Sequence, residues 1–296
     1  MTTLTQPTSL PGSPVMPTGY RRRRTLNRIL LYTVMSLIAL IIIIPLLWMF
    51  STSLKPKAQL FSKEIYWIPK TVTLQNYQKI LDNPSTPIAR WFGNSVVVAV
   101  LHTGVVLIIS TMAAYAYARL EFPGRKQIFA ILLITLFLPG VMFLVPNFVT
   151  INRMGMLDSF LGVLLPGFAA VFPVFFMRQF FESIPKELEE AAQIDGASTF
   201  QIFTKIVLPL SKSAIATLAI IEFLGSWNDF LWPMLVLKRA DLLTLQPGLR
   251  TLQGAYTSEY GLMMAGAVIV AVPVLVLYIF LQRFIVQSVA TTGLKG

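Results

Sequence analysis

Long apolar runs alternate with short polar breaks along most of the chain. A hydrocarbon core about 30 Å thick is crossed by roughly 20 apolar residues rising 1.5 Å each. Six runs approach that length, at 29–50, 95–118, 128–146, 160–177, 214–237 and 261–281. The first exceeds the roughly 7–15 apolar residues of a cleaved signal peptide, and no small-residue cleavage site follows it, so it is read as a retained anchor. The pattern predicts an all-α membrane protein with six transmembrane helices. "RRRRTLNR" (21–28) directly precedes the first run, and the positive-inside tendency therefore puts the amino terminus in the cytoplasm. An even number of spans returns the carboxyl terminus to the same side. The loop "RLEFPGRK" (119–126) is more basic than "NRMGMLD" (152–158), which agrees. The loop 51–90 disagrees, with Lys55, Lys57, Lys63, Lys70, Lys79 and Arg90, but long loops weigh less under this rule.

The expected organisation follows from these boundaries. Residues 1–28, rich in Thr, Ser, Pro and Gly and ending in the Arg run, read as a disordered basic tail. Residues 29–90 hold the first span and an outer loop. Residues 91–285 form a core of five spans with a polar cytoplasmic loop at 182–212, and 286–296 form a cytoplasmic tail.

Composition narrows the class further. The 296 residues are 55% hydrophobic and 12% charged, with a mean hydropathy of +0.69, against about 25% charged in an average soluble domain. The net charge of +11 comes from 24 Lys and Arg spread through loops and the tail, without a basic face interleaved with aromatics, which argues against nucleic acid as a partner. The absence of Cys excludes disulfides and thiolate metal sites, and one His leaves little for zinc.

Several spans carry helix breakers: Pro45, Pro139-Gly140, Pro166-Gly167, Pro173, Pro233 and Pro273. Proline removes an intrahelical hydrogen bond, and in lipid the freed carbonyl must be met by a neighbouring helix or a wet cavity. The repeated "LPG" (138–140 and 165–167) thus reads either as bent helices around a path or as the ordinary frequency of Pro and Gly in membrane helices. The small residues of "GLMMAGAVIVA" (261–271) suit close helix packing. The fifth span holds Glu222 and "WNDFLWP", with Asn228 and Asp229. Ionisable groups at membrane depth face a bundle interior or a cavity, so these three are candidates for the translocation path. The alternative for Asp229 is a capping role near the outer interface, between the belt residues Trp227 and Trp232. His102, without an acidic neighbour in sequence, reads as a packing residue rather than a proton relay.

Between the fourth and fifth runs lies "ESIPKELEEAAQIDGASTFQIFTKIVLP" (182–209). Ser183 is a candidate cap, Pro185 fits a first turn, and Glu187, Glu189 and Glu190 complement the positive end of a helix dipole. Leu188, Ala191 and Ala192 make a narrow apolar stripe. Gly196 can end that helix in the left-handed conformation, and Ser198 with Gln201 makes a capping-box pattern for the next, expected to run to Pro209. An amphipathic helix lying on lipid would carry Lys and Arg on its polar face, whereas this one is acidic, so a cytoplasmic protein partner is favoured and the acids read as partner contacts.

Glu190-Ala191-Ala192, three residues, Gly196, nine residues, Ile206, one residue and Leu208-Pro209 resembles the signature of permease subunits of binding-protein-dependent ABC importers. "FGNS" (92–95), "AAYAYARLEFPGR" (113–125), "SIPKELEEAAQIDGAS" (183–198), "WNDFLWP" (227–233) and the closing "GLKG" (293–296) are similar to the carbohydrate-uptake branch of the maltose-transporter type, second permease. Ser213 stands where that family often has proline, and Thr292 where it commonly has glycine.

The resemblance implies a type I ABC importer permease fold in a prokaryotic inner membrane. It implies that Glu190, Ala191, Ala192, Asp195, Gly196, Ile206, Leu208 and Pro209 couple the chain to an ATPase dimer, and that Gly293, Lys295 and Gly296 reach that dimer from the tail. The other partners implied are a second homologous permease, an extracellular solute-binding protein, a sugar substrate and membrane lipids. No G-x-x-x-x-G-K-[ST] loop occurs, so ATP and Mg²⁺ are expected on the partner ATPase, with no cofactor on this chain. The rival readings are an ion-coupled secondary transporter using Glu222, Asp229 and His102, and an ABC permease for glycerol phosphate or another polyol. A membrane enzyme lacks support, because no convergent catalytic set is present.

Overall fold

The computed structural model describes residues 18–62, 64–84, 86–255 and 259–293, with side chains described over 26–62, 64–84, 86–251 and 259–280. The greater part of the expected tail, 1–17, and the tail residues Lys295 and Gly296 lie outside the described residues; Gly293 is the last described position. No strand occurs among the described residues. Contacts divide the chain after Phe50. The first unit, ending at Phe50, holds most of α1 (Thr18–Ser53), whose segment Leu26–Ser53 is long and apolar enough to cross a membrane.

From Ser51 onward the second unit opens with two short helices, α2 (Lys57–Leu60) and α3 (Gln75–Leu81). The loop around them is ordered by polar anchors. Asn76 donates through Nδ2 to the Ser53 and Lys55 carbonyls at 2.7 and 3.0 Å, and Lys55 Nζ donates to the Tyr66 carbonyl at 2.5 Å. Lys55 is buried, and desolvation pulls its ammonium below the usual lysine range.

α4 (Ile88–Arg119) is the central element, packed against α8 (Val171–Glu182) and α12 (Lys212–Asn228). Its buried positions Trp91, Ser95, Val98, Val106, Ser110 and Ala114 recur at helical spacing. The small residues among them let neighbouring backbones approach closely. Its amino-terminal end is stitched to the segment before α14 (Leu245–Ala255). Trp91 Nε1 donates to the Ala240 carbonyl at 2.7 Å, and Asn94 Nδ2 to the Asp241 and Leu243 carbonyls at 3.0 and 2.9 Å. Ser95 Oγ accepts from the Leu245 amide at 2.8 Å. The "FGNS" segment is therefore a backbone clamp.

Three further crossings are broken helices. α5 (Arg125–Thr135) meets a 3₁₀ turn at Gly140–Phe143 and α6 (Leu144–Arg153) at 96°. α7 (Phe160–Leu164) and the 3₁₀ turn Leu165–Gly167 meet α8 at 47°. The segment from α10 (Thr199–Ile202) through a π-helical stretch, Phe203–Val207, and α11 (Leu208–Leu210) meets α12 at 77°. Each break sits at or beside a proline, Pro139, Pro166 or Pro209, whose missing N–H leaves a carbonyl without its helical partner. At the third break the Val207 carbonyl accepts from both the amide and the buried hydroxyl of Ser211, at 3.1 and 2.7 Å. α13 (Leu231–Val236) continues the α12 crossing after a break at Asp229, and α15 (Tyr260–Gly293) is the last long helix. With α1, α4 and α15 continuous and three pairs bent, six crossings fit the apolar lengths.

Two buried apolar clusters hold the second unit. One gathers Trp91, Ile151, Trp227, Val236 and Leu245; the other gathers Tyr115, Phe129, Met177, Phe181, Ile202 and Phe203 beneath the polar loop 182–212. On the opposite side, Asp158 closes the loop before α7. Its Oδ1 accepts from the Lys238 and Arg239 amides at 2.5 and 3.0 Å. Those two donors hold its carboxyl below the usual carboxylate range.

Candidate coupling helix and candidate path

The loop 182–212 starts differently from the sequence expectation. Ser183 is the last cap of α8, donating to the Phe180 carbonyl at 2.7 Å, and the helix carrying the signature, α9 (Glu187–Ile194), begins after Lys186. Burial of Ile184 in the second apolar cluster accounts for the delay, because it ties the residues between the two helices to the bundle. At the other end Ala197 N donates to the Ala192 carbonyl at 2.9 Å and Gly196 N to the Gln193 carbonyl at 3.0 Å. Those paired bonds, with Gly196 at φ +82, make the left-handed helix stop that only glycine adopts without strain. Ser198 and Gln201 form the reciprocal capping box that starts α10.

The acids of α9 divide. Glu190 is exposed beside the exposed Ala191, Asp195 and Ile194, the last 87% exposed. Glu189 is the only buried residue of α9. Arg119, the last residue of α4, donates through Nε to Glu189 Oε1 at 2.5 Å, and both side chains are 7% exposed. Arg119 Nη2 donates to the Phe181 and Ile184 carbonyls at 2.7 Å each, and Tyr115 Oη donates to Glu189 Oε2 at 3.3 Å. Glu189 thus faces the bundle and is spent on internal partners, which corrects its reading as a contact for another protein. Ala192 is half-buried against the second cluster, whereas Leu188 is 47% exposed, so the expected apolar stripe is split between two faces. In the π-helical stretch Ile206 is half-buried, with Leu208 half-buried and Pro209 exposed after it.

The polar residues of the fifth span also separate. Glu222 Oε2 lies 3.3 Å from His102 Nε2 across the α4–α12 contact, with side chains 13% and 17% exposed. His102 thus has an acidic partner 120 residues away, which neighbours in sequence could not show. Asp229 ends α12, its Oδ1 accepting from the Trp232 amide at 3.4 Å. Asn228 is exposed and reaches Gln246 at 3.4 Å. A cavity of about 390 Å³ is lined by His102, Asn147, Gly167, Ser226, Asp229 and Trp232, and also by Gly140 and Pro166 from both "LPG" breaks. Asp229 and His102 are brought to it; Glu222 stands behind His102, and Asn228 faces away. No group of three His, Asp or Glu side chains able to hold a metal occurs among the described residues.

Residues 106–291 match the family described as binding-protein-dependent transport system inner membrane component. The chain belongs to that family. The permease is 38% identical over 261 residues to the arabinooligosaccharides transport system permease protein AraQ of Halalkalibacterium halodurans, covering 88% of this chain and 93% of that one. It is 31% identical to the lactose transport system permease protein LacG of Rhizobium radiobacter, over 90% and 96% of the two chains. Its fold is similar to that of a chain in a bacterial ABC transporter that imports the acidic polysaccharide alginate, with a TM-score of 0.77, 26% identity, and coverage of 92% and 99%. The permease is therefore a multi-pass membrane component of an ABC importer with the type I fold, a transport subunit rather than an enzyme. The ion-coupled alternative is not favoured.

Proposed function

We propose that the permease forms half of a translocation path for an oligosaccharide or related sugar and is driven by a separate ATPase dimer that docks on α9. The sugar class is supported by the substrates named for its relatives, arabinooligosaccharides and lactose, and by the alginate named for the similar structure. The observation that carries the docking reading is the two-sidedness of α9. A single charged residue, Glu189, is held from behind, and the opposite face leaves Glu190, Ala191 and Ile194 open. Small and acidic exposed positions on a helix anchored to the bundle suit insertion into a partner's cleft.

Both termini and α9 lie on the cytoplasmic side in this reading, with the carboxyl-terminal residues Gly293, Lys295 and Gly296 directed to the ATPase. ATP and Mg²⁺ act on that dimer, whose closure favours one of two arrangements of the crossings, and a ligand shifts such an equilibrium only by its differential affinity for the two. An extracellular binding protein delivers the sugar, and a second permease completes the path. The cavity beside Asp229, His102, Asn147 and Trp232 supplies polar and aromatic groups of the kind that bind sugar hydroxyls and faces.

The test is co-purification of the ATPase and sugar uptake with Gly196→Pro, and with Glu190→Ala combined with Gly196→Asp. Both variants insert in the membrane and lose uptake; normal uptake in both overturns the reading.

A further inference from the structure

We propose that Arg119 and Glu189 form a buried strut that makes α9 and the end of α4 move as one body. The proposal rests on the reading of α9 as the ATPase-docking helix, and it assigns the internal side of that helix. Glu189 is the only buried residue on α9, so an ionic contact rather than an apolar wedge is the chief side-chain attachment of this helix to the bundle. Arg119 meets it with Nε at 2.5 Å and uses Nη2 on the Phe181 and Ile184 carbonyls at 2.7 Å. One guanidinium therefore ties the carboxyl-terminal end of α4 to the end of α8 and the first turn of α9. The fixed planar fork of arginine suits this task, since its donors are held in one geometry. Its cation also lies at the carboxyl-terminal end of α8, where the helix dipole favours positive charge. Tyr115, one turn back on α4, gives the second Glu189 oxygen a donor at 3.3 Å, so both carboxylate oxygens point at α4.

The consequence is directional. Glu190 and its exposed neighbours receive a partner, while Glu189 passes displacement to α4, the helix that packs against both α8 and α12 and carries His102 at the cavity. A purely structural ion pair would not need to lie on that route. Its replacement by apolar residues of similar size would then leave transport intact, because swapping both members of a buried pair is often neutral for stability while removing one leaves an uncompensated charge. Arg119 and Glu189 are positioning residues and touch neither substrate nor nucleotide.

Two measurements on the complete complex in proteoliposomes decide the matter. The first is sugar moved per ATP hydrolysed for Arg119→Met with Glu189→Leu together. The strut predicts an assembled complex that still hydrolyses ATP but moves about tenfold less sugar per ATP, a coupling loss within the usual allosteric range. A wild-type ratio overturns it. The second needs no change to the pair and stands even if that variant does not assemble. The chain has no Cys, so spin labels on Leu120→Cys and Gln193→Cys report the distance between the two ends of the strut. An unchanged distance between nucleotide-free and ATP-trapped complexes is expected; a changed one overturns the proposal. Ala191→Arg on the exposed face separates the two ideas, since ATPase still bound by that variant removes the docking reading itself. ATPase lost with Ala191→Arg, alongside normal coupling in the double variant, removes the strut alone.

Discussion

Gly167→Ala tests whether the second "LPG" break is a tight joint between helices. A Cβ placed there would stand 2.6 Å from His102 Cε1 and 3.1 Å from Nδ1. Non-bonded carbons rest at about 3.5–4.0 Å, so the imidazole must withdraw by roughly 1 Å. It cannot do so freely, because Nε2 is already 3.3 Å from Glu222 Oε2 on α12. Overpacking a filled site of this kind costs about 1–3 kcal/mol. Weakening the His102–Glu222 hydrogen bond adds about 1 kcal/mol. The expected result is a lower midpoint in thermal unfolding of the purified complex, followed by the fluorescence of the buried Trp91 and Trp227. The decisive comparison is a double-mutant cycle with His102→Ser. Removing the ring removes the clash, so the alanine should cost much less in that background, with a coupling energy of about 1–2 kcal/mol. Additive effects, or a Gly167→Ala variant as stable as the parent, would refute the joint.

Other consequences are simpler to check. Asn94→Ala leaves the Asp241 and Leu243 carbonyls without their side-chain donor, and an unmet buried acceptor costs about 1–3 kcal/mol. Hydrogen exchange across 241–247 should accelerate, and unchanged protection would contradict the clamp. Asp158 has its pKa depressed in the folded state, so its stabilisation is fully present above the ordinary carboxylate range and is lost as pH falls through the lowered value. Asp158→Asn should therefore be less stable than the parent at neutral pH and approach it in acid; a difference constant with pH would oppose the assignment. Ser198→Ala removes the capping box at the start of α10 and should cost about 1 kcal/mol, read as faster amide exchange at 199–202.

The membrane class was legible because apolar runs of roughly 20 residues match the thickness of a bilayer, and a chain with 12% charged residues has too little polar surface to bury six of them in a soluble core. Gly196 and the Ser198–Gln201 box were legible because caps are short-range chemistry, settled within about four residues. The breaks at Pro139 and Pro166 could be located, but not the 96° and 47° bends they produce, since those depend on what packs around the freed carbonyls. The roles of Glu189 and Glu190 were not separable by residue chemistry, and only the family resemblance singled out Glu190. The two residues are adjacent and chemically identical, and only Arg119, 70 residues earlier, turns one of them inward. His102 and Glu222 hide their pairing in the same way, because helix contacts across 120 residues leave no local pattern. The shift of the α9 start from Ser183 to Lys186 has a packing cause, Ile184 in the apolar cluster, which capping chemistry alone would miss.

The driving force we propose for transport through this permease is ATP hydrolysis by a partner, and not an ion gradient. Its most direct measurement is radiolabelled oligosaccharide uptake into proteoliposomes holding both permeases and the ATPase, with the sugar-binding protein outside and ATP enclosed. Uptake should require ATP and persist when proton and sodium gradients are collapsed. Gradient-driven uptake by liposomes that lack the ATPase would contradict the account.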